Sequence, residues 1–283
     1  MSDGTSAIVG DRTLPAAAAA HDRMWRDPGR AAGALLLVGL IAFAVVGPWL
    51  AADPARQDLR NLLAPMGGDY LLGTDHLGRS ILARLAHAAR LSLGFAALAL
   101  MAAAIPGTLL GLLAAWRGGL VDQVLTALAS MVQALPGLLL VLVLAAFDPG
   151  KVWPLFLGVA LALWVEFFRV VRASARTLLA SPEVEASRML GFGPAYVVRR
   201  HLAPRLLPIL ATLAAFGTGG AVVAVSTLSF VNVGVRPPTP EWGNMIVELL
   251  PHLQEAPAQA LAPAACIFLL LVALTLLAGR DPR

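Results

Sequence analysis

"SPEVEASRMLGFGPAYVVRRHLAPRLLP", residues 181–208, is the stretch on which the reading of this chain turns. It carries Glu183, Glu185, Arg188, Arg199, Arg200 and Arg205 inside a sequence that is otherwise oily: 58% hydrophobic, 13% charged, with a mean hydropathy of +0.77. A water-soluble domain carries about 25% charged residues. These 283 residues lack the polar surface to cover a globule in water. Long apolar runs flank the charged stretch on both sides. In lipid every backbone N–H and C=O must be satisfied internally, which a helix does for itself. The chain therefore reads as an all-α membrane protein interrupted by a charged insert.

A bilayer core of roughly 30 Å needs about 20 helical residues to cross it. Six windows qualify: 31–50, 91–116, 120–147, 152–171, 208–231 and 258–278. The organisation expected is a polar tail over 1–30, a first transmembrane helix over 31–50, and a loop with an amphipathic helix over 51–90. A membrane core follows over 91–278, with the insert at 173–207, and a short tail over 279–283. The first apolar run is longer than a signal-peptide h-region, so it is read as a retained helix.

Arginine placement orients the chain. Seven arginines lie between 169 and 205, opposed only by Glu183 and Glu185, and the positive-inside rule puts this segment in the cytoplasm. Counting spans outward then places both termini inside, with Arg23, Arg26 and Arg30 before the first helix and Arg280 and Arg283 after the last. The loop over 51–90 conflicts with this count, because it holds Arg56, Arg60, Arg79, Arg84 and Arg90 yet falls outside. Within it, Ile81, Leu82, Leu85, Ala88 and Ala89 share one helical face, with Arg79, Arg84 and Arg90 off it.

Inside the insert, Ser181 and Pro182 form a helix start, with Ser181 as cap. Glu183 and Glu185 then sit near the positive end of the helix dipole. Ala186 and Ser187 are small enough for another surface to approach the backbone. Gly191 supplies the left-handed stop. Pro194 opens a second helix through Arg199 and Arg200, which turns at Pro204 towards the next span. From the residues alone this is either a docking knob or a solvated connecting loop.

"EASRMLG" followed by "HLAP" resembles the EAA motif of binding-protein-dependent ABC importer permeases, with Glu185, Ala186, Gly191 and Pro204 in register. Ser187 stands where that family has a second Ala, and Ala203 where it has Leu. "LGTDHLGRSILARLAHAARLSL", "SFVNVGVRPPTPEWGNMI" and the closing "DPR" resemble the C-type permease subunits of dipeptide, oligopeptide and nickel transporters. The closing "LLAGRDPR" is shorter than is usual there. The resemblance implies a type I ABC importer permease fold of six transmembrane helices, with the helix at the motif as the cytoplasmic coupling helix. It implies that Glu185, Ala186, Ser187, Gly191, Arg199, Arg200 and Pro204 serve ATPase coupling, with Glu185 meeting a basic residue on the ATPase. It implies a related permease subunit as heterodimeric partner, two ATPase subunits that bind ATP and Mg, and an extracytoplasmic substrate-binding protein. The location implied is the bacterial inner membrane. Di- or oligopeptides are the first substrate class and nickel or a metal chelate the second.

What the sequence lacks bears on function too. The sole lysine, Lys151, stands in "DPGKVW", which does not fit the Gly-Lys-Ser/Thr of a P-loop. The chain is therefore read as a non-catalytic subunit without a cofactor of its own. Cys266 is the only cysteine, so no intrachain disulfide or cysteine metal cluster forms. Basic residues form no aromatic-interleaved stripe, which argues against nucleic acid. Glu166 stands one turn from Arg169, the geometry of a salt-linked helix end, and Asp122 reads as an interfacial or capping residue. His76, His87, His201 and His252 read as scattered surface histidines, and Trp242 as an interfacial side chain in a Pro-rich outer loop. Pro106, Pro136, Gly217, Gly219 and Gly220 interrupt the spans. Ion relays deep in the spans would favour a secondary carrier or channel instead, and a membrane scaffold is a third reading.

Overall fold

The apolar runs do become helices. The computed structural model describes residues 28–68, 70–148, 151–231 and 233–279. In chain order the helices are α1 (Pro28–Leu50), α2 (Ile81–Arg117), α3 (Gly119–Gln133), α4 (Gly137–Ala145), α5 (Val152–Leu179), α6 (Pro182–Met189), α7 (Pro194–Val197), α8 (Ala203–Phe230), α9 (Trp242–Leu249) and α10 (Pro257–Ala278). A widened π turn, Val198–Leu202, joins α7 to α8. Five helical runs are long and apolar enough to cross a membrane, and α3 with α4, bent by 75° at the break between them, brings the count to six if the pair is taken as one span.

Helix α2 is the spine. It packs along α5 and against α1 and α8, and α10 closes over α1 and α8. Small residues let it do so. Ala96, Ala99, Ala103, Gly107, Gly111 and Ala114 are all buried and recur at helical spacing. A Cβ at Gly107 would stand 2.7 Å from both Phe167 Cβ and Trp164 O, and one at Gly111 2.8 Å from Phe168 O. With no hydrophobic drive between helices in lipid, such close approach is what holds α2 to α5.

Several expectations need correction. Among the described residues no separate amphipathic helix precedes the second span: Ser80 accepts a hydrogen bond from Ala83 N as N-cap, and α2 then runs unbroken for 37 residues. The third span is not one helix, because Pro136 has no N–H to continue it and α3 gives way at Ala134. The fourth span does not stop at 171 but continues to Leu179. Nor does the chain turn at Pro204. That residue lies in the first turn of α8, inside one helical run from Pro194 to Phe230. In a regular α-turn its ring would meet the carbonyl of Arg200. The π turn relieves this, with Ala203 N–H donating to Val198 O instead. Arg23, Arg26, Arg280, Arg283 and "DPR" lie outside the described residues.

Helix α2 is about 55 Å long and separates two ends of the bundle. One carries the loop before Ile81. The other carries Trp116, beside which the insert is seated.

Candidate functional site

The insert is anchored before it is displayed. Val184 on α6 is buried with Val171 and Ala175 of α5 and with Val197, Leu202 and Leu206, over Leu112 and Trp116 of α2. Ser187 also turns inward. Its Oγ donates to Glu183 O at 2.9 Å and meets His201 Nε2 at 2.9 Å. Ser187 is thus not part of a small exposed face as expected, and His201 is not a free surface histidine. Ser181 occupies the N-cap position with extended backbone but makes no side-chain cap bond. Arg188 lays its guanidinium over the Trp116 ring at 5.0 Å, a cation–π contact of about 0.5–1 kcal/mol when exposed. Arg205 Nη2 donates to Glu183 Oε2 at 2.5 Å in an exposed pair, which contributes little to stability.

Helix α6 stops as its glycine requires. Gly191 has φ +83°. Its N–H donates to Arg188 O at 3.0 Å, and Phe192 N–H donates to Ser187 O at 3.1 Å. These two bonds complete a Schellman motif. The motif turns Phe192 back to stack on Tyr196 at 4.1 Å. Outside the anchor, Glu185, Ala186, Arg199, Arg200 and Pro204 are exposed, as are Met189 and Leu190, at 80% and 76% of their full exposure. Of the residues singled out in the motif, the fold therefore gathers Glu185, Ala186 and Gly191 on one projecting turn, with Arg199 and Arg200 on the adjoining π turn. Met189 and Leu190 were not signalled by the motif; two large apolar side chains left in the open beside charged ones are their own signal.

Asp122 braces the same end. It accepts a two-pronged pair from Arg172, with Nη2–Oδ2 at 2.6 Å, and a longer contact from Arg176 at 3.4 Å. The start of α3 is thereby tied to the last turns of α5, a role that a single-sequence reading of Asp122 as a cap did not reach.

The opposite end holds a buried charge cluster. Asp75 Oδ1 accepts from Leu77 N and Arg79 N at 2.9 Å, and Oδ2 accepts from Arg79 Nε and Arg84 Nη1 at 2.6 Å. Arg79 Nη2 and Arg84 Nη1 also reach Glu248 Oε2 on α9, at 2.7 and 2.6 Å. The Asp75 and Arg84 side chains are wholly buried. Burial pushes the Asp75 carboxyl up, but the Arg79 and Leu77 N–H donors and the two guanidinium charges outweigh it and hold it below its ordinary value. Arg84 is therefore not on a solvated face, which corrects the expectation. It also explains why two arginines can sit in the loop that violates the charge count: they are internal partners of acids. Beside them Glu241 caps α9 with a capping box, taking N–H bonds from Gly243 and Asn244 at 2.8 and 3.1 Å and a hydroxyl bond from Ser226 at 2.9 Å. Trp242 is fully buried, not interfacial. His76 and His252 are not scattered but stack at 5.3 Å. Burial pulls the His76 imidazole below its usual value.

Glu166 differs from its reading as a salt-linked residue. Among the described residues it has no ion pair, and Arg169 donates instead to Ser130 Oγ at 3.3 Å.

Sequence comparisons agree with this architecture. The family described as binding-protein-dependent transport system inner membrane component matches residues 107–280. A di/tripeptide transport system permease protein of Pseudomonas aeruginosa (strain UCBPP-PA14) is 35% identical over 256 residues, covering 87% of this chain and 84% of that protein. A nickel transport system permease protein of Escherichia coli (strain K12) is 32% identical over 245 residues, covering 86% and 88%. A dipeptide transport system permease protein of Alkalihalophilus pseudofirmus is 27% identical over 241 residues, covering 85% and 79%.

Proposed function

The chain belongs to the family of binding-protein-dependent ABC importer permeases, and we propose that it supplies one half of the membrane path of a bacterial uptake system for di- or oligopeptides. A related permease forms the other half. Two ATPase subunits, which bind the ATP and Mg, attach beneath the insert. A substrate-binding protein docks at the end that carries α9 and the Asp75 cluster. Both termini are cytoplasmic in this arrangement, and the membrane is the inner membrane.

The observation that carries the coupling role is the build of the insert. Its inner face, through Val184 and Ser187, is fixed to α5 and α8, while its outer face holds Glu185, Ala186, Met189 and Leu190 in the open. A push on that face is passed to the spans rather than absorbed by a loose loop. ATP closure draws the two inserts together and opens the path outward; hydrolysis resets it. Arg199 and Arg200 flank the contact, Gly191 shapes it, and Pro204 stands where the helical run passes into α8.

The substrate is tested by reconstituting the complete importer in liposomes and measuring ATP-dependent accumulation of radiolabelled dialanine and of radiolabelled Ni²⁺. Accumulation of dialanine supports the reading; accumulation of Ni²⁺ alone moves the chain to the second reading, which the nickel permease relative favours.

A further inference from the structure

Two features meet where α3 breaks. The first is backbone that is not helical. Residues 134–136 lie between α3 and α4, at the 75° bend of a helix pair that is apolar enough to enter the membrane. Such backbone is tolerated at membrane depth only where it is buried in protein or lines water. Leu135 and Pro136 are exposed in this chain, so its own fold does not bury them. The second is Glu166, also exposed, at the midpoint of α5 (Val152–Leu179) and about 9 Å along the axis from Arg172. A carboxylate at that depth is too costly to face lipid without a partner, and it has no ion pair among the described residues. Both features line one cleft of about 120 Å³, with Gln133, Leu135, Gly137, Ala162 and Glu166 on its walls.

We propose that this cleft is part of the water-filled translocation path and that Glu166 is its cation-selective group, receiving the free ammonium of a passing substrate. The donor set favours an organic ammonium over a metal ion. Besides Glu166 the cleft is lined by one amide, Gln133, and otherwise by apolar residues, whereas Ni²⁺ needs several imidazole, thiolate or carboxylate ligands. An ammonium needs only one carboxylate and room for its apolar substituents, and passage is served by a site that binds weakly enough to release. Arg169, one turn on along α5, donates to Ser130 Oγ and makes no ion pair with the carboxylate. The inference rests on the importer reading only in that a path exists.

The test uses the assembled importer in native membranes, in a Cys266→Ser background. Gln133→Cys reports on the cleft through its rate of modification by cationic trimethylammonium-ethyl methanethiosulfonate and by anionic sulfonatoethyl methanethiosulfonate. The cationic reagent should react about tenfold faster, a modest electrostatic focusing effect, and Glu166→Gln should remove that preference. Tetramethylammonium should slow the cationic reagent, and Ni²⁺ at equal concentration should not. Failure of both reagents at Gln133→Cys and at a second reporter, Leu135→Cys, would overturn the proposal, because the cleft would then be closed by lipid or by protein. So would a preference untouched by Glu166→Gln, and the reverse order of competitors would overturn the ammonium assignment. Binding-protein-stimulated ATP hydrolysis in the same membranes separates the two readings: its absence in wild type, with the cation preference intact, counts against the importer assembly alone.

Discussion

Arg84 shows what a single residue can cost this fold. It is buried with Asp75 and bonded to Glu248, so truncation leaves two acids sharing the single guanidinium of Arg79. Arg84→Leu should destabilise the detergent-solubilised chain by about 3–5 kcal/mol, as expected when one partner of a buried pair is removed. Arg84→Leu combined with Asp75→Leu should cost less than the two singles summed, which a thermal-unfolding cycle measures; strict additivity would mean the cluster is not coupled. His76 gives the same region a pH dependence. Burial holds its folded pKa below the usual 6.5, so the unfolded chain binds the extra proton first as pH falls. The contribution is complete above 6.5 and is lost as pH drops below it. Amide protection over residues 73–80, corrected for intrinsic exchange, should fall between pH 7.5 and 5.5, and His76→Gln should flatten that fall. None of these partnerships was legible in the sequence. Asp75 and Glu248 lie far apart in the chain, and an arginine on a helix carries no mark of whether its partner is water or a distant carboxylate.

At the scale of the element, the bounds of α6 were read well, and the rest of the insert and the spans less so. Pro182, the two early acids and Gly191 fix α6 through local chemistry, which is why its start and its left-handed stop could be placed from residues alone. Gly191 has open space about its Cα, so the cost of Gly191→Val is strain at positive φ, about 1–2 kcal/mol, and not a clash. The chain should still insert in the membrane. The Schellman closure should open and Phe192 should leave Tyr196, seen as faster proteolysis within 188–196; unchanged proteolysis would mean the bend does not depend on the glycine. Gly107→Leu acts differently, since its Cβ would collide with α5. It should prevent stable folding, read as loss of the monodisperse species in gel filtration. The span ends were misjudged because hydropathy reports the oily part of a helix, whereas helices here continue past the oil: α2 begins ten residues before the apolar window and α5 ends eight after it. The break at Pro136 was visible as a proline but not as a 75° bend, because neighbouring helices decide whether a kinked span stays straight enough to cross.

At the scale of the whole molecule, α2 links the two ends that matter. The insert is wedged against its Trp116 end, and the Asp75 cluster caps its Ile81 end. A rigid spine of this kind lets displacement at one face of the membrane reach the other without a flexible relay, which suits a subunit driven from below and loaded from above. The fold class and the insert were accessible from composition and motif. The cap was not, since it is built from two stretches that are far apart in sequence and meet only after the spans have packed. The central claim is that the outer face of α6 is gripped by an ATPase. The most direct measurement is to tag the chain, purify it gently from its native membrane, and compare the ATPase retained by wild type with that retained by Glu185→Arg and by Ala186→Arg at equal membrane insertion. Wild type should bring down a P-loop ATPase with a second permease, and each variant should lose about tenfold or more of the ATPase, the effect of removing one interface hot spot, while keeping the second permease. Equal retention in all three would contradict the account, because the face that α6 presents would then hold no partner.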